Sequence, residues 1–163
     1  MMRSTFRTPI EDRYFEDYEP GAVHEFGGDI AVDEEEMISF ARRYDPQVFH
    51  TDPNAAAKTM FGGLIASGWL TAALAMRLIV DHYLSHVASL GSPGIDEVRW
   101  FKPVRPGDRL SLRISILDAR RSHTKPDRGT VRALVEVINQ KSEVVMSWMG
   151  INIIRCRDGS LSP

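Results

Sequence analysis

From residue 95 onward apolar and polar positions alternate with period two, over residues 95–101, 109–118, 130–139 and 144–154. Successive side chains of an extended strand point to opposite faces, so each stretch predicts a strand with one face buried and one face wet. In the second stretch Leu110, Leu112, Ile114 and Ile116 share one face, while Ser111, Arg113 and Ser115 share the other. Pro106-Gly107-Asp108 and the polar run 120–129 read as a turn and a loop, and connections this short predict antiparallel neighbours. Residues 23–32 also read as extended, interrupted by Gly27 and Gly28.

Between the first strand and the rest the period changes to that of a helix. Asp33 is an N-cap residue with Glu36 three positions on, and Val32 and Met37 are spaced to staple the first turn. Met37, Ile38, Phe40, Ala41 and Tyr44 supply an apolar face, and Pro46 stops the helix at Asp45, because proline lacks an amide hydrogen and disfavours helix at the residue before it. Asp52-Pro53 repeats the start signal and predicts one or two short turns over 54–58. A long apolar helix is predicted over about 65–84. The stretch 59–76, which runs into this helix, is uncharged and near the length of a membrane span, but Gly62, Gly63, Ser67 and Gly68 break it and the mean hydropathy of the chain is negative. A helix apolar on nearly every side is what a sheet wrapped around it requires. The elements predict a single α+β domain whose sheet covers the long helix; the alternative is a small barrel with a helical insertion.

With 163 residues, 43% of them apolar, the chain has the size of one domain able to bury a core. Its 20 basic and 22 acidic residues give a net charge of −2, which offers nothing to nucleic acid or to an anionic membrane surface. The expected partner is a small molecule. A lone cysteine, Cys156, has no partner for an intramolecular disulfide, and the first residues lack an apolar signal core, so a cytoplasmic location is expected.

The chemistry concentrates in two neighbouring segments. Asp45 and His50, five residues apart, are followed by Phe61-Gly62-Gly63 and by Ser67-Gly68-Trp69 at the start of the long helix. A carboxylate and an imidazole can hold one water and exchange the roles of base and acid. A glycine amide at the positive end of a helix can receive charge on a carbonyl oxygen, and a side chain there would obstruct its approach. By spacing alone, Asp45 reads first as a turn initiator before proline and His50 as a partly buried histidine. Asp52 reads as an N-cap. His82 and His86 have a zinc-binding spacing, but Tyr83 stands where a zinc peptidase needs glutamate, which favours a solvated helix end. Arg120, Arg121, His123, Lys125 and Arg128 could clamp phosphates or simply solvate a hairpin. Cys156, beside Arg155 and Arg157, reads as structural; those cations would lower its pKa only if it were exposed.

Phe40-Ala41-Arg42-Arg43-Tyr44, the Asp45 and His50 pair, the Phe61-Gly62-Gly63 turn and Phe101-Lys102-Pro103-Val104-Arg105-Pro106-Gly107-Asp108 together resemble the MaoC-like dehydratase family, which includes the (R)-specific enoyl-CoA hydratases. The resemblance runs over about 18–155. It implies the hot-dog fold, a curved antiparallel sheet around one long helix, and hydration of 2-enoyl thioesters, with enoyl-CoA the expected form, or the reverse dehydration. It implies Asp45, His50 and Gly68 as catalytic groups, with Gln47, Phe61, Gly63, Ser67 and Trp69 against the substrate and no metal or redox cofactor. Met60 and Trp100 are further candidates for the pocket. Gln47 stands where the family usually has Asn, Val48 where it has Pro, and Ser67 where many members have His; the Gln47 amide keeps the capacity to hydrogen-bond. Hot-dog hydratases generally join two copies through one continuous sheet, so a homodimer is expected. The alternatives are a thioesterase on the same fold or a non-catalytic acyl-thioester-binding subunit.

Overall fold

The computed structural model describes residues 6–159. Among them five strands form one antiparallel sheet in the order β1-β3-β4-β5-β2: β1 Val23–Ala31, β2 Gly94–Trp100, β3 Arg109–Arg121, β4 Arg128–Ile138 and β5 Val144–Arg155. The alternation read from sequence is the one that is buried. Leu110, Leu112, Ile114 and Ile116 of β3 face the core with Val131, Ala133, Val135 and Val137 of β4. The register of β1 on β3 shifts between Phe26 and Ile30, where Gly27 and Gly28 interrupt the apolar pattern.

Four helices lie between β1 and β2: α1 Glu34–Tyr44, α2 Val48–Thr51, α3 Pro53–Ala56 and α4 Gly68–His82. Asp33 caps α1 by accepting the Glu36 N–H at 2.8 Å, and Asp52 caps α3 by accepting from Asn54 and Ala55 at 2.9 and 3.0 Å. The long helix begins at Gly68, not at Ile65. The Ile65 N–H is committed to the Phe49 carbonyl at 3.0 Å and the Ala66 N–H to Val104 at 2.8 Å, which holds this stretch extended until Ser67 caps the helix.

Leu70, Leu74, Ala75, Leu78 and Ile79 of α4 are buried against the sheet. The helix is not covered all round, however: Trp69, Met76 and Val80 are 59%, 45% and 44% exposed along one stripe. That stripe abuts the sheet margin, because Trp69 meets Trp100 of β2 edge-to-face at 5.4 Å. Among the described strands β2 pairs only with β5, and its Ile95 and Trp100 are exposed as well. No helix among the described residues is long and apolar enough to cross a membrane.

Packing reaches back beyond the predicted core boundary near residue 18. Residues 6–22 form a strap with 3-10 turns at Ile10–Asp12 and Phe15–Asp17. Its Arg13 is buried and donates to the His82 and Tyr83 carbonyls at 3.0 and 2.8 Å, satisfying acceptors that the end of α4 leaves open. The Tyr18 hydroxyl donates to the Tyr83 carbonyl and accepts the Ser85 N–H, each at 2.9 Å.

Beneath the strap His24 is buried and stacked on Phe6 at 3.7 Å, and the Arg13 guanidinium also lies over the Phe6 ring, 3.5 Å from its centroid. Burial, and then the Arg13 charge, lower the His24 pKa from 6.5 to about 4. The unfolded chain therefore takes up this proton more readily than the folded one. The stabilisation is complete above about pH 6.5 and is lost as pH falls toward 4, by up to roughly 3 kcal/mol. Urea unfolding of the parent and of His24→Phe at pH 7 and pH 4.5 checks this: the parent is expected to lose more stability than the variant, and equal losses would refute it.

Candidate active site

Asp45 follows the last residue of α1 and its N–H still donates to the Ala41 carbonyl at 2.8 Å, so the helix end fixes its backbone. One turn later α2 buries His50. The His50 Nδ1 lies 2.8 Å from the Ile65 carbonyl oxygen. A carbonyl only accepts, so Nδ1 carries the proton, and in the neutral ring Nε2 is bare. Nε2 stands 3.3 Å from Oδ2 of Asp45. Two acceptors facing each other at this distance are reconciled by a proton on Nε2 or by a water that donates to both.

Two further groups hold the carboxylate. Gln47 Nε2 donates to Oδ1 at 2.7 Å, and the Ser67 hydroxyl donates to Oδ2 at 2.7 Å. The same Ser67 oxygen accepts the Trp69 N–H at 3.3 Å, so the cap of α4 and the carboxylate are one hydrogen-bonded unit. Partial burial pushes the Asp45 pKa up, but the bonds from Gln47 and Ser67, with the His50 charge, outweigh it and hold the carboxyl below its ordinary value. Asp45 thus stays ionised across the neutral range.

The pair opens onto a cavity of about 370 Å³ whose lining includes Phe61, Ile65, Gly68, Trp69, Trp100 and Val104. The wall is mostly apolar and includes the adjacent Asp45 and His50 side chains, as in small-molecule sites generally. Gly68 is the first residue of α4, and its N–H is one of those a helix leaves without an intrahelical acceptor. Its carbonyl accepts the Trp100 Nε1–H at 3.1 Å. A Cβ built at Gly68 would lie 2.4 Å from Trp100 Nε1. Glycine here thus has a nearer reason than the approach of a substrate: the indole occupies the space.

The remaining predicted positions separate into groups. Phe61 and Trp69 line the cavity with Asp45, His50 and Gly68, whereas Gln47, Gly63 and Ser67 act around it. Gly63 shapes the turn, with φ of 157° after Gly62 at 65°, and packs against Arg105. Met60 is almost fully exposed and points away from the cavity lining, while Trp100 belongs to it. Asp52 serves as a cap. His86 is spent on the Val80 carbonyl and His82 stacks on Phe26, so the two do not converge on a metal position. In the basic loop Arg120, Arg121 and Arg128 pair with Asp118, Asp158 and Asp127, which leaves them neutralised in place. Cys156 is buried, and burial pushes its thiol pKa up, opposite to the effect that exposure beside Arg155 and Arg157 would have had.

The chain is similar to a MaoC-like dehydratase from Rhodospirillum rubrum, with 35% identity, a TM-score of 0.81 and coverage of 89% of this chain and 98% of that one. It is 33% identical over 110 residues to 3-hydroxyacyl-thioester dehydratase Z of Mycobacterium tuberculosis (strain ATCC 25618 / H37Rv), covering 66% of this chain and 73% of the relative. At 15% identity, with a TM-score of 0.76, it overlays 95% of itself on 48% of a conserved hypothetical protein from Mycobacterium tuberculosis with a double hotdog fold. The curved sheet around α4 is the hot-dog fold that the sequence resemblance implied. The MaoC like domain matches residues 16–139, which contain both members of the Asp45–His50 pair, the Ser67 cap and the turn held by Arg105, and the chain accordingly belongs to the MaoC-like dehydratase family.

Proposed function

We propose that this protein adds water to 2-enoyl thioesters, or removes it from 3-hydroxyacyl thioesters, with Asp45 and His50 as the acid-base pair and without a metal or redox cofactor. The observation that carries the reading is the His50 Nε2 standing 3.3 Å from the Asp45 carboxylate, with both residues in the wall of a largely apolar cavity. A water donating to both groups is oriented and made more nucleophilic. Its oxygen forms the bond to the β-carbon, one proton passes to the pair, and the pair returns a proton to the α-carbon. Charge that develops on the thioester oxygen meets the Gly68 N–H at the positive end of α4. Phe61, Trp69 and Trp100 bracket the acyl group. Dehydration is the same path reversed. The activity named for the mycobacterial relative, a 3-hydroxyacyl-thioester dehydratase, supports the reaction class.

The test is incubation with short, medium and branched 2-enoyl-CoA thioesters, following loss of the conjugated absorbance and identifying the product. A 3-hydroxyacyl thioester is expected. Release of free thiol would mark a thioesterase instead, and binding without turnover a non-catalytic acyl-binding subunit; either overturns the reading.

The working unit in this reading is a homodimer. The exposed stripe of α4 and the apolar margin of β2 form one continuous surface, and an open edge of this kind is commonly protected by a second copy. Gel filtration with light scattering across a dilution series is expected to show a dimer whose dissociation lowers activity; a stable, fully active monomer would refute it.

A further inference from the structure

The stretch from Phe61 to Ile65 has no regular secondary structure, yet the carbonyls of Phe61, Leu64 and Ile65 are each bonded to a side chain. The Ile65 carbonyl accepts from His50 Nδ1 at 2.8 Å. The carbonyls of Phe61 and Leu64 are taken by one side chain: Arg105 Nη2 donates to the Phe61 carbonyl at 2.6 Å and Nη1 to the Leu64 carbonyl at 3.4 Å. Among the described residues Arg105 forms no ion pair, so its charge is directed to peptide dipoles. Its own backbone is held in turn. The Arg105 N–H donates to Asp108 Oδ2 at 2.8 Å, and Gln140 Nε2 donates to the other Asp108 oxygen at 2.8 Å. The neighbouring Val104 carbonyl accepts the Ala66 N–H at 2.8 Å.

We propose that Arg105 is a positioning residue for the Asp45–His50 pair. By gripping the carbonyls of Phe61 and Leu64 it fixes the path of the chain into Ile65, so that the Ile65 carbonyl stays in line with the His50 Nδ1–H. The consequence is a choice of tautomer. While Ile65 holds the proton on Nδ1, Nε2 is bare and faces the carboxylate; if the carbonyl drifts, the proton is free to move to Nε2, and the ring can no longer accept a proton on the side where Asp45 stands. A planar fork suits this task because it reaches both carbonyls at once, whereas an ammonium reaches one. The importance for turnover rests on the proposed acid-base role of the pair; the control of the tautomer does not.

The experiment uses the full chain with ¹⁵N-labelled histidine at pH 8, comparing the parent with Arg105→Met and Arg105→Lys. The His50 ring signals are assigned by their loss in His50→Gln. The parent is expected to show one tautomer, protonated at Nδ1. Arg105→Met is expected to show a mixture, with kcat for enoyl-thioester hydration lowered by about tenfold to a hundredfold, and Arg105→Lys to lie between the two. Should Arg105→Met fail to fold, Arg105→Lys decides by the same spectrum. A folded variant whose His50 keeps the Nδ1 tautomer overturns the proposal, even if its activity has fallen, because the residue then acts only through stability. If the parent hydrates no thioester the functional reading falls, and the tautomer comparison still decides the role of Arg105.

Discussion

Asp45→Asn and His50→Ala are each expected to lower hydration of 2-enoyl thioesters by about a hundredfold or more while leaving the fold intact. The Asn side chain can keep the bond from Ser67 on its carbonyl oxygen, but its amide does not accept a proton from water. Removing the imidazole takes away the bare Nε2 and also frees the Ile65 carbonyl. Because the proposed mechanism has both groups act on one water, the double variant is expected to be little worse than the poorer single variant. The titration of Asp45 gives a second reading of the same geometry. Bonds from Gln47 and Ser67 keep Asp45 below the usual carboxylate range, so it stays ionised to lower pH than an ordinary aspartate. Ser67→Ala removes one of those bonds and is expected to raise the Asp45 pKa, read from the pH dependence of its carboxyl ¹³C shift. Steady-state kinetics on variants checked by circular dichroism, together with that titration, measures all of this. Folded variants of Asp45 and His50 with near-parental turnover would remove the pair from the mechanism.

Gly68→Val is expected to cost about a hundredfold or more in kcat/KM. Two consequences follow from one methyl-bearing carbon. The new Cβ would stand 2.4 Å from Trp100 Nε1, so the indole must leave its bond to the Gly68 carbonyl. The displaced ring and the branched side chain then crowd the amide at the head of α4, where the thioester oxygen is to be received. Indole displacement is expected to change the tryptophan emission, independently of any assay. A comparison of Gly68→Ala alone and together with Trp100→Ala separates the two causes. If the indole is what demands glycine, the added Trp100→Ala recovers part of the loss. Unchanged kcat/KM in folded Gly68→Val would remove Gly68 from the site.

Much of the scaffold is legible in the sequence because it depends on local periodicity and caps. The face of Leu110 to Ile116, the Asp33 cap and the stop at Pro46 are each set by residues within a few positions of one another. The strap over the end of α4 is not legible. Residues 6–22 have no period, and an arginine is almost never buried without a partner; the partners of Arg13 are the carbonyls of His82 and Tyr83, which belong to the backbone and leave no mark in the residue types. The same holds at the site. Asp45 and His50 are visible as a pair, but the Ser67 bond spans 22 positions and the Trp100 contact with Gly68 spans 32. Arg105 was visible only as part of a motif, since both of its acceptors are again peptide carbonyls. The boundary error at the start of α4 has a related cause: Ile65 and Ala66 have helical propensity, and long-range backbone bonds to Phe49 and Val104 override it.

Trp100 stands at the rim of the sheet and on the wall of the cavity at once. Selection therefore reads a change at this position twice, through what the cavity admits and through what the rim adheres to. Under the proposed function, a change of acyl group is constrained here in a way that it is not at Phe61 or Val104, which line the cavity without belonging to β2. A lineage that explores new substrates by neutral steps has the easier route through those two, and a replacement of Trp100 by a smaller residue should travel with compensating changes along the Trp69, Met76 and Val80 stripe.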